Sequence, residues 1–98
     1  MSNSGVKELT RTEDITKTPK MSNVYLINDD FTTFDHVVYI LNTVFSKSTI
    51  EAEKITMKIH YEGKALVGSY PKDVALTKVK KVKDLSRQKG YPLKAEIL

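Results

Sequence analysis

The order of apolar and polar positions after residue 22 predicts a buried strand and then an amphipathic helix. Val24 to Ile27 form a short apolar run of the kind found in buried strands. Thr32 or Thr33 can cap the helix that follows, and Ser46-Lys47 ends it. Its apolar residues recur at helical spacing and predict one buried face: Phe34, Val37, Val38, Leu41, Val44 and Phe45.

The second half of the chain predicts two more helices and two more strands. Ser48 matches the start of a capping box for a second helix, and Gly63 and Gly68 bracket a strand at 65–67. Pro71 suits the first turn of a third helix, and Gly90 suits its end. A final strand is predicted because three apolar residues, Leu93, Ala95 and Ile97, alternate with charged residues.

The predicted order is therefore β-α-α-β-α-β, an α/β fold of the α+β type. A small, mainly antiparallel three-stranded sheet is expected to pack against three helices. Residues 23–98 form the predicted core domain. Residues 1–22 are predicted to be a flexible N-terminal extension, because so polar a segment cannot bury enough apolar surface to offset its ordering entropy.

Composition narrows the functional classes. At 98 residues, of which 40% are hydrophobic, the chain has room for one modest core. It contains no cysteine, which excludes disulfides, thiolate metal sites and a cysteine nucleophile. The start of the sequence has no signal-peptide pattern and no apolar run is long enough for a membrane helix, so a cytoplasmic protein without a membrane partner is expected.

The net charge of +4 raises the possibility of a nucleic-acid partner. Its one cluster consists of Lys78, Lys80, Lys81 and Lys83, which is more typical of a solvated helix face than of a phosphate-binding groove. We therefore expect no nucleic-acid partner. His36 has no motif around it and is predicted to be a solvated helix residue.

The candidate chemistry lies at the end of the first strand. Asn28-Asp29-Asp30 place an amide and two carboxylates just before a helix, and His60 begins a second polar cluster, HYEGK. Such acceptors near one another can bind a small cationic amine. Taken alone, the acidic triplet is equally typical of a turn whose side chains bond nearby backbone N–H groups, and an isolated histidine is more often a helix-end or core residue than a ligand.

Four motifs, in the same order along the chain, resemble those of the ClpS family, the adaptors of the bacterial Clp protease. They are LINDDFT at 26–32, HYEGK at 60–64 with Val67-Gly68, VALTKV at 74–79 and GYPL at 90–93. The similarity runs from about residue 23 to the C-terminus. The resemblance implies a monomeric adaptor with no catalytic activity and no cofactor. It would bind substrates that begin with Leu, Phe, Tyr or Trp and pass them to the AAA+ unfoldase ClpA, which feeds the ClpP peptidase.

The resemblance also assigns residues. It implies that the substrate's amino terminus is bound by Asn28, Asp29 and His60. It implies a side-chain pocket formed by Ile27, Thr32, Phe34, Val37, Thr56, Ile59 and Leu93. The surface facing the N-terminal domain of the unfoldase would contain Asp73, Thr77 and Lys78. Phe34 stands where the family often has a methionine that excludes β-branched side chains, and Thr56 stands where an apolar residue is usual, which predicts a more polar pocket floor.

Three other functions compete with this one. Asp29, Asp30 and His60 could act as acid–base groups of a hydrolase, although no serine lies in a nucleophile-elbow motif. The same three residues could bind a metal ion, although their separations match no strong metal motif. A small, lysine-bearing, helix-covered domain also resembles the C-terminal domain of the ribosomal stalk protein, in which the acidic triplet would have no role.

Overall fold

The computed structural model describes residues 20–98, which form a three-stranded sheet covered by three helices. The strands are β1 (Met21–Ile27), β2 (Lys64–Pro71) and β3 (Lys94–Ile97), and the helices are α1 (Phe34–Thr43), α2 (Thr49–Glu62) and α3 (Lys72–Gln88). The sheet order is β2-β1-β3, with both pairings antiparallel. The predicted element order and fold class are confirmed. None of the helices in this part of the chain is long and apolar enough to cross a bilayer.

Two strand boundaries differ from the sequence prediction. β1 begins at Met21, which pairs with Pro71, so the strand starts three residues before the predicted start at Val24. β2 does not end at Gly68 but continues to Pro71. Val24 pairs with Gly68 and Tyr25 with Leu66, so the register shifts by one residue there and Val67, next to Gly68, is the extra residue of a bulge in β2. The rest of the predicted extension, residues 1–19, lies outside the described residues.

Local caps set where the first two helices begin. The Thr33 side chain accepts a hydrogen bond from the backbone N–H of His36, and the Ser48 side chain accepts one from Glu51. Between these helices Ser46 adopts a left-handed φ of 55°, which turns the chain as the predicted break requires. The caps satisfy N–H groups that have no partner inside the helix, so these boundaries follow from local sequence.

The core lies between the sheet and the helices. It contains most of the predicted apolar faces, although Phe34 is exposed and Val38 only partly buried. These residues are almost fully buried: Val24, Leu26, Val37, Ile40, Leu41, Val44, Phe45, Ala52, Ile59, Ala65, Val67, Ala75, Val82 and Leu93. The prediction that His36 is solvated is wrong, because its side chain is only 4% exposed. The reason is a tertiary contact: His36 meets the fully buried Ser86 of α3.

Candidate functional site

A cavity of about 510 Å³ opens where the end of β1, the start of α1 and the second half of α2 meet. Its wall combines polar residues with apolar ones. The residues that line it are Asn28, Asp29, Asp30, Thr32, Phe34, Val37, Thr56, Met57, Ile59, His60 and Tyr61. The structure therefore brings most of the predicted site residues to one place, although they lie on three separate elements.

A backbone hydrogen bond joins the end of β1 to the end of α2 beside the polar part of the wall. The N–H of Asn28, just after β1, donates to the carbonyl oxygen of Gly63 at 2.8 Å. Gly63 ends α2 in the left-handed conformation, with a φ of 90°, and its own N–H donates to Ile59. His60 lies in the last turn of that helix. The cap therefore fixes the end of β1 beside the turn that carries the imidazole.

Asp29 is bonded within its own turn. One carboxylate oxygen accepts from the backbone N–H groups of Phe31 at 2.8 Å and Thr32 at 2.7 Å, and the other accepts from the Thr32 hydroxyl at 2.7 Å. Burial by itself raises the pKa of Asp29, but the hydrogen bonds from Thr32 and Phe31 and the positive charge of Arg87 outweigh it. The pKa therefore lies below its ordinary value of 3.8. Asp29 is charged at neutral pH and also closes the turn, as the Asx-turn alternative expects.

Three other polar residues of the wall are more exposed than Asp29, namely Asn28, Asp30 and His60. The ring of His60 lies edge-on to that of Tyr61, with 5.1 Å between the centroids. Within residues 20–98 no set of three or more His, Asp or Glu side chains is grouped closely enough to hold a metal ion. The metal site considered for His60, Asp29 and Asp30 is therefore not supported by the geometry. What the arrangement offers is a carboxylate, an amide and an imidazole in the wall of one cavity.

The apolar part of the wall comes from α1 and α2. Val37 and Ile59 are buried, whereas Phe34 at the start of α1 is 42% exposed and stands at the opening. Thr56 is buried among them, and its hydroxyl donates to the carbonyl oxygen of Ala52 at 2.7 Å. The cavity therefore has an apolar section next to its polar section.

Two residues of the wall were missed by sequence reasoning. Met57 and Tyr61 are 42% and 74% exposed, and both line the cavity. They lie one helical turn apart on α2, and Met57 lies three residues before His60. Helical spacing from His60 would have found Met57, and spacing from Met57 would then have found Tyr61, because residues three and four apart share a helix face.

Two predicted pocket residues lie elsewhere. Leu93 is 1% exposed and lines a separate hollow of about 210 Å³ together with Lys83 and Arg87. Leu93 leads into β3, which pairs with β1 on the side away from β2 and packs against α3. Ile27 is half-buried in the central strand and is not part of the cavity wall. Of the two, Leu93 belongs to the buried core.

The residues predicted to face the unfoldase lie on α3, away from the cavity. Asp73 and Thr77 are exposed and one turn apart, and the Thr77 hydroxyl donates to the Asp73 carbonyl at 3.0 Å. Lys78 is engaged within the domain. Its Nζ donates to the carbonyl oxygen of Val44 at 2.8 Å and lies 5.0 Å from the ring centroid of Tyr70. Lys78 therefore links α3 to the end of α1.

Comparison with known proteins gives a consistent result. The family model described as ATP-dependent Clp protease adaptor protein ClpS matches residues 17–96. The ClpS adapter protein of Nautilia profundicola is 53% identical over 77 residues, which are 79% of this chain and 79% of that protein. The ClpS adapter protein of Clostridium acetobutylicum is 49% identical over 76 residues, 78% of this chain and 75% of that protein.

A solved structure is also similar. It is Agrobacterium tumefaciens ClpS2 bound to L-phenylalaninamide, which matches with a TM-score of 0.77 and 35% sequence identity. The match covers 83% of this chain and 100% of that chain.

Proposed function

This chain belongs to the ClpS family of Clp protease adaptors, and from that premise we propose that it recognises proteins by a bulky hydrophobic first residue and delivers them to a ClpA-type AAA+ unfoldase. The observation that carries the proposal is the meeting of Asn28, Asp29 and His60 at the polar section of a cavity whose other section is apolar. The proposed substrates begin with Leu, Phe, Tyr or Trp.

The polar section suits a free amino terminus. An α-amino group has a pKa of about 7.7–8.0, so it is mostly protonated at neutral pH and presents three N–H donors. Asp29 supplies the negative charge, Asn28 a carbonyl oxygen, and a ring nitrogen of His60 one further acceptor. An acetylated terminus loses the charge and most of the donors. An internal residue has no ammonium group at all.

The apolar section suits the first side chain. Burying a Leu or Phe side chain there contributes roughly 1.5–3 kcal/mol, and charge-assisted hydrogen bonds to the amine add to it before desolvation is subtracted. The amide bound by the Agrobacterium relative is chemically a first residue of this kind, with a free amine and an aromatic side chain. Binding of both groups together makes the protein selective for chain ends without any catalytic step.

Delivery of the substrate to the unfoldase requires a second binding surface, separate from the cavity. We propose that the exposed Asp73–Thr77 turn of α3 faces the N-terminal domain of the unfoldase. Lys78 would position that turn indirectly, because its hydrogen bond to Val44 attaches α3 to the end of α1. A monomeric adaptor leaves both the cavity and this turn accessible at once. The adaptor would work in the cytoplasm beside the protease, without a cofactor and without catalytic activity.

The amine requirement is tested by fluorescence anisotropy with peptides that share all residues after the first. We expect tight binding of peptides that begin with Leu or Phe, weak binding of Val, and loss of binding for acetyl-Leu. Equal affinity for the free and acetylated Leu peptides would remove the proposed mechanism. Co-purification with an AAA+ unfoldase tests delivery, whereas co-sedimentation with ribosomes would favour the stalk-protein alternative instead.

A further inference from the structure

Thr56 places a hydroxyl-bearing side chain in the wall of the apolar section of the cavity. The residue is 4% exposed and lies in the wall with Phe34, Val37 and Ile59. Its hydroxyl proton is already committed, since it donates to the Ala52 carbonyl at 2.7 Å. A hydroxyl has one proton and two lone pairs. What Thr56 can still offer to a ligand is therefore an acceptor and not a donor.

The position of this acceptor relative to the amine site is set by the helix. Thr56 and His60 are four residues apart on α2, so they share one face and lie roughly 6 Å apart along the axis. A first residue whose amine is bound beside His60 can extend its side chain along that face towards Thr56. The acceptor then lies near the far end of the side chain.

We propose that Thr56 makes the cavity selective for tyrosine over phenylalanine as the first residue of the substrate. This inference rests on the proposed function. The two side chains differ by one phenolic O–H, which donates to the Thr56 oxygen when the ring enters the apolar section. Between neutral groups such a bond corresponds to about a fivefold gain in affinity. Phenylalanine leaves the Thr56 oxygen without that partner but loses nothing else.

The test compares Tyr-first and Phe-first peptides of otherwise identical sequence, by anisotropy, on three proteins. The native chain is expected to bind the Tyr peptide about fivefold more tightly. Thr56→Val keeps the shape of the side chain and removes the acceptor, so the preference should disappear or reverse, because the phenol is then buried without a partner. Thr56→Ser retains the hydroxyl and should retain the preference.

Each result decides the matter. If the native chain binds the Phe-first and Tyr-first peptides with equal affinity, the proposal is overturned before any variant is made. The same Tyr-to-Phe ratio in the native chain and in Thr56→Val also overturns it. Urea unfolding of both variants checks that they fold, and Thr56→Ala replaces Thr56→Val if the latter does not. Because acetylated peptides test the amine site separately, an unchanged ratio with intact dependence on the free amine would reject only the role of Thr56.

Discussion

The Nε2 atom of His36 and the Oγ atom of Ser86 lie 2.8 Å apart in the buried contact between α1 and α3. Ser86 is fully buried, and the His36 ring packs against Tyr91 with 4.6 Å between centroids. The Nδ1 atom of His36 is buried without a hydrogen-bond partner among the described residues. The His36 side chain therefore packs between α1 and α3 as part of the core. It lies two residues after Phe34, which is in the cavity wall.

The first prediction concerns pH. Burial, and then the positive charge of Lys89, lower the pKa of His36 below its ordinary value of 6.5. The unfolded chain therefore takes up a proton before the folded chain does as the pH falls through 6.5, and the free energy of unfolding decreases down to the folded-state pKa. Above pH 6.5 both states are neutral at this ring, so it contributes no slope there.

Urea unfolding at pH 7.5 and pH 5.5 checks this prediction. The double variant His36→Phe with Ser86→Ala should lose less stability over the interval than the native chain. Every other side chain is the same in both proteins, so the comparison isolates the His36–Ser86 contact. The other groups around the ring, Asp35 and Lys89, are also unchanged. Equal losses in the two proteins would contradict the assignment.

The second prediction separates the two roles of Asp29. Asp29→Asn keeps a carbonyl oxygen for the N–H groups of Phe31 and Thr32 but removes the charge. Its free energy of unfolding should change by less than about 1 kcal/mol, while affinity for free-amine peptides should fall at least about tenfold, the equivalent of 1.4 kcal/mol.

Asp29→Ala is the companion variant. It removes every hydrogen bond of the turn, so it should also destabilise the domain by about 1–3 kcal/mol. Anisotropy and urea unfolding on the two variants give the comparison. Native affinity in the folded Asn variant would show that the carboxylate serves only the turn.

The third prediction uses two glycines as a matched pair. Gly63 and Gly90 both have left-handed φ values, 90° and 80°, and a Cβ added at either one meets no atom within 4 Å. Alanine at each position should therefore cost about 1–2 kcal/mol of stability through backbone strain alone. Gly63 also accepts the Asn28 N–H. Only Gly63→Ala should weaken peptide binding beyond its effect on stability, and equal peptide affinities in the two variants would argue against the cap as the element that positions Asn28.

The fourth prediction concerns Lys78. Its ammonium donates to Val44 and lies over Tyr70, so Lys78→Met should destabilise the domain by about 1 kcal/mol or more. Lys81→Met, at an exposed position of the same helix, should stay within about 0.5 kcal/mol of the native chain. Urea unfolding compares the two. If both variants matched the native chain, Lys78 would be free to contact the unfoldase directly.

Sequence reasoning succeeded where the governing interaction is local. Thr33 and Ser48 cap helices because a side chain a few residues away satisfies the first N–H groups, and the apolar face of α1 follows from helical spacing. Family resemblance supplied the pairing of the acidic triplet with His60, which the cavity brings together. No single motif would have established that pairing, since each one also fits an ordinary turn or helix end.

Only the tertiary structure determined the contacts between elements that are distant in sequence. The burial of His36 depends on Ser86, fifty residues away, and a polar residue inside an apolar face looks solvated until its partner is known. Leu93 packs in the core without lining the cavity, because sheet order places β3 on the far side of β1 from β2. Local patterns thus determined the elements and their caps, whereas packing between elements determined which side chains face the cavity.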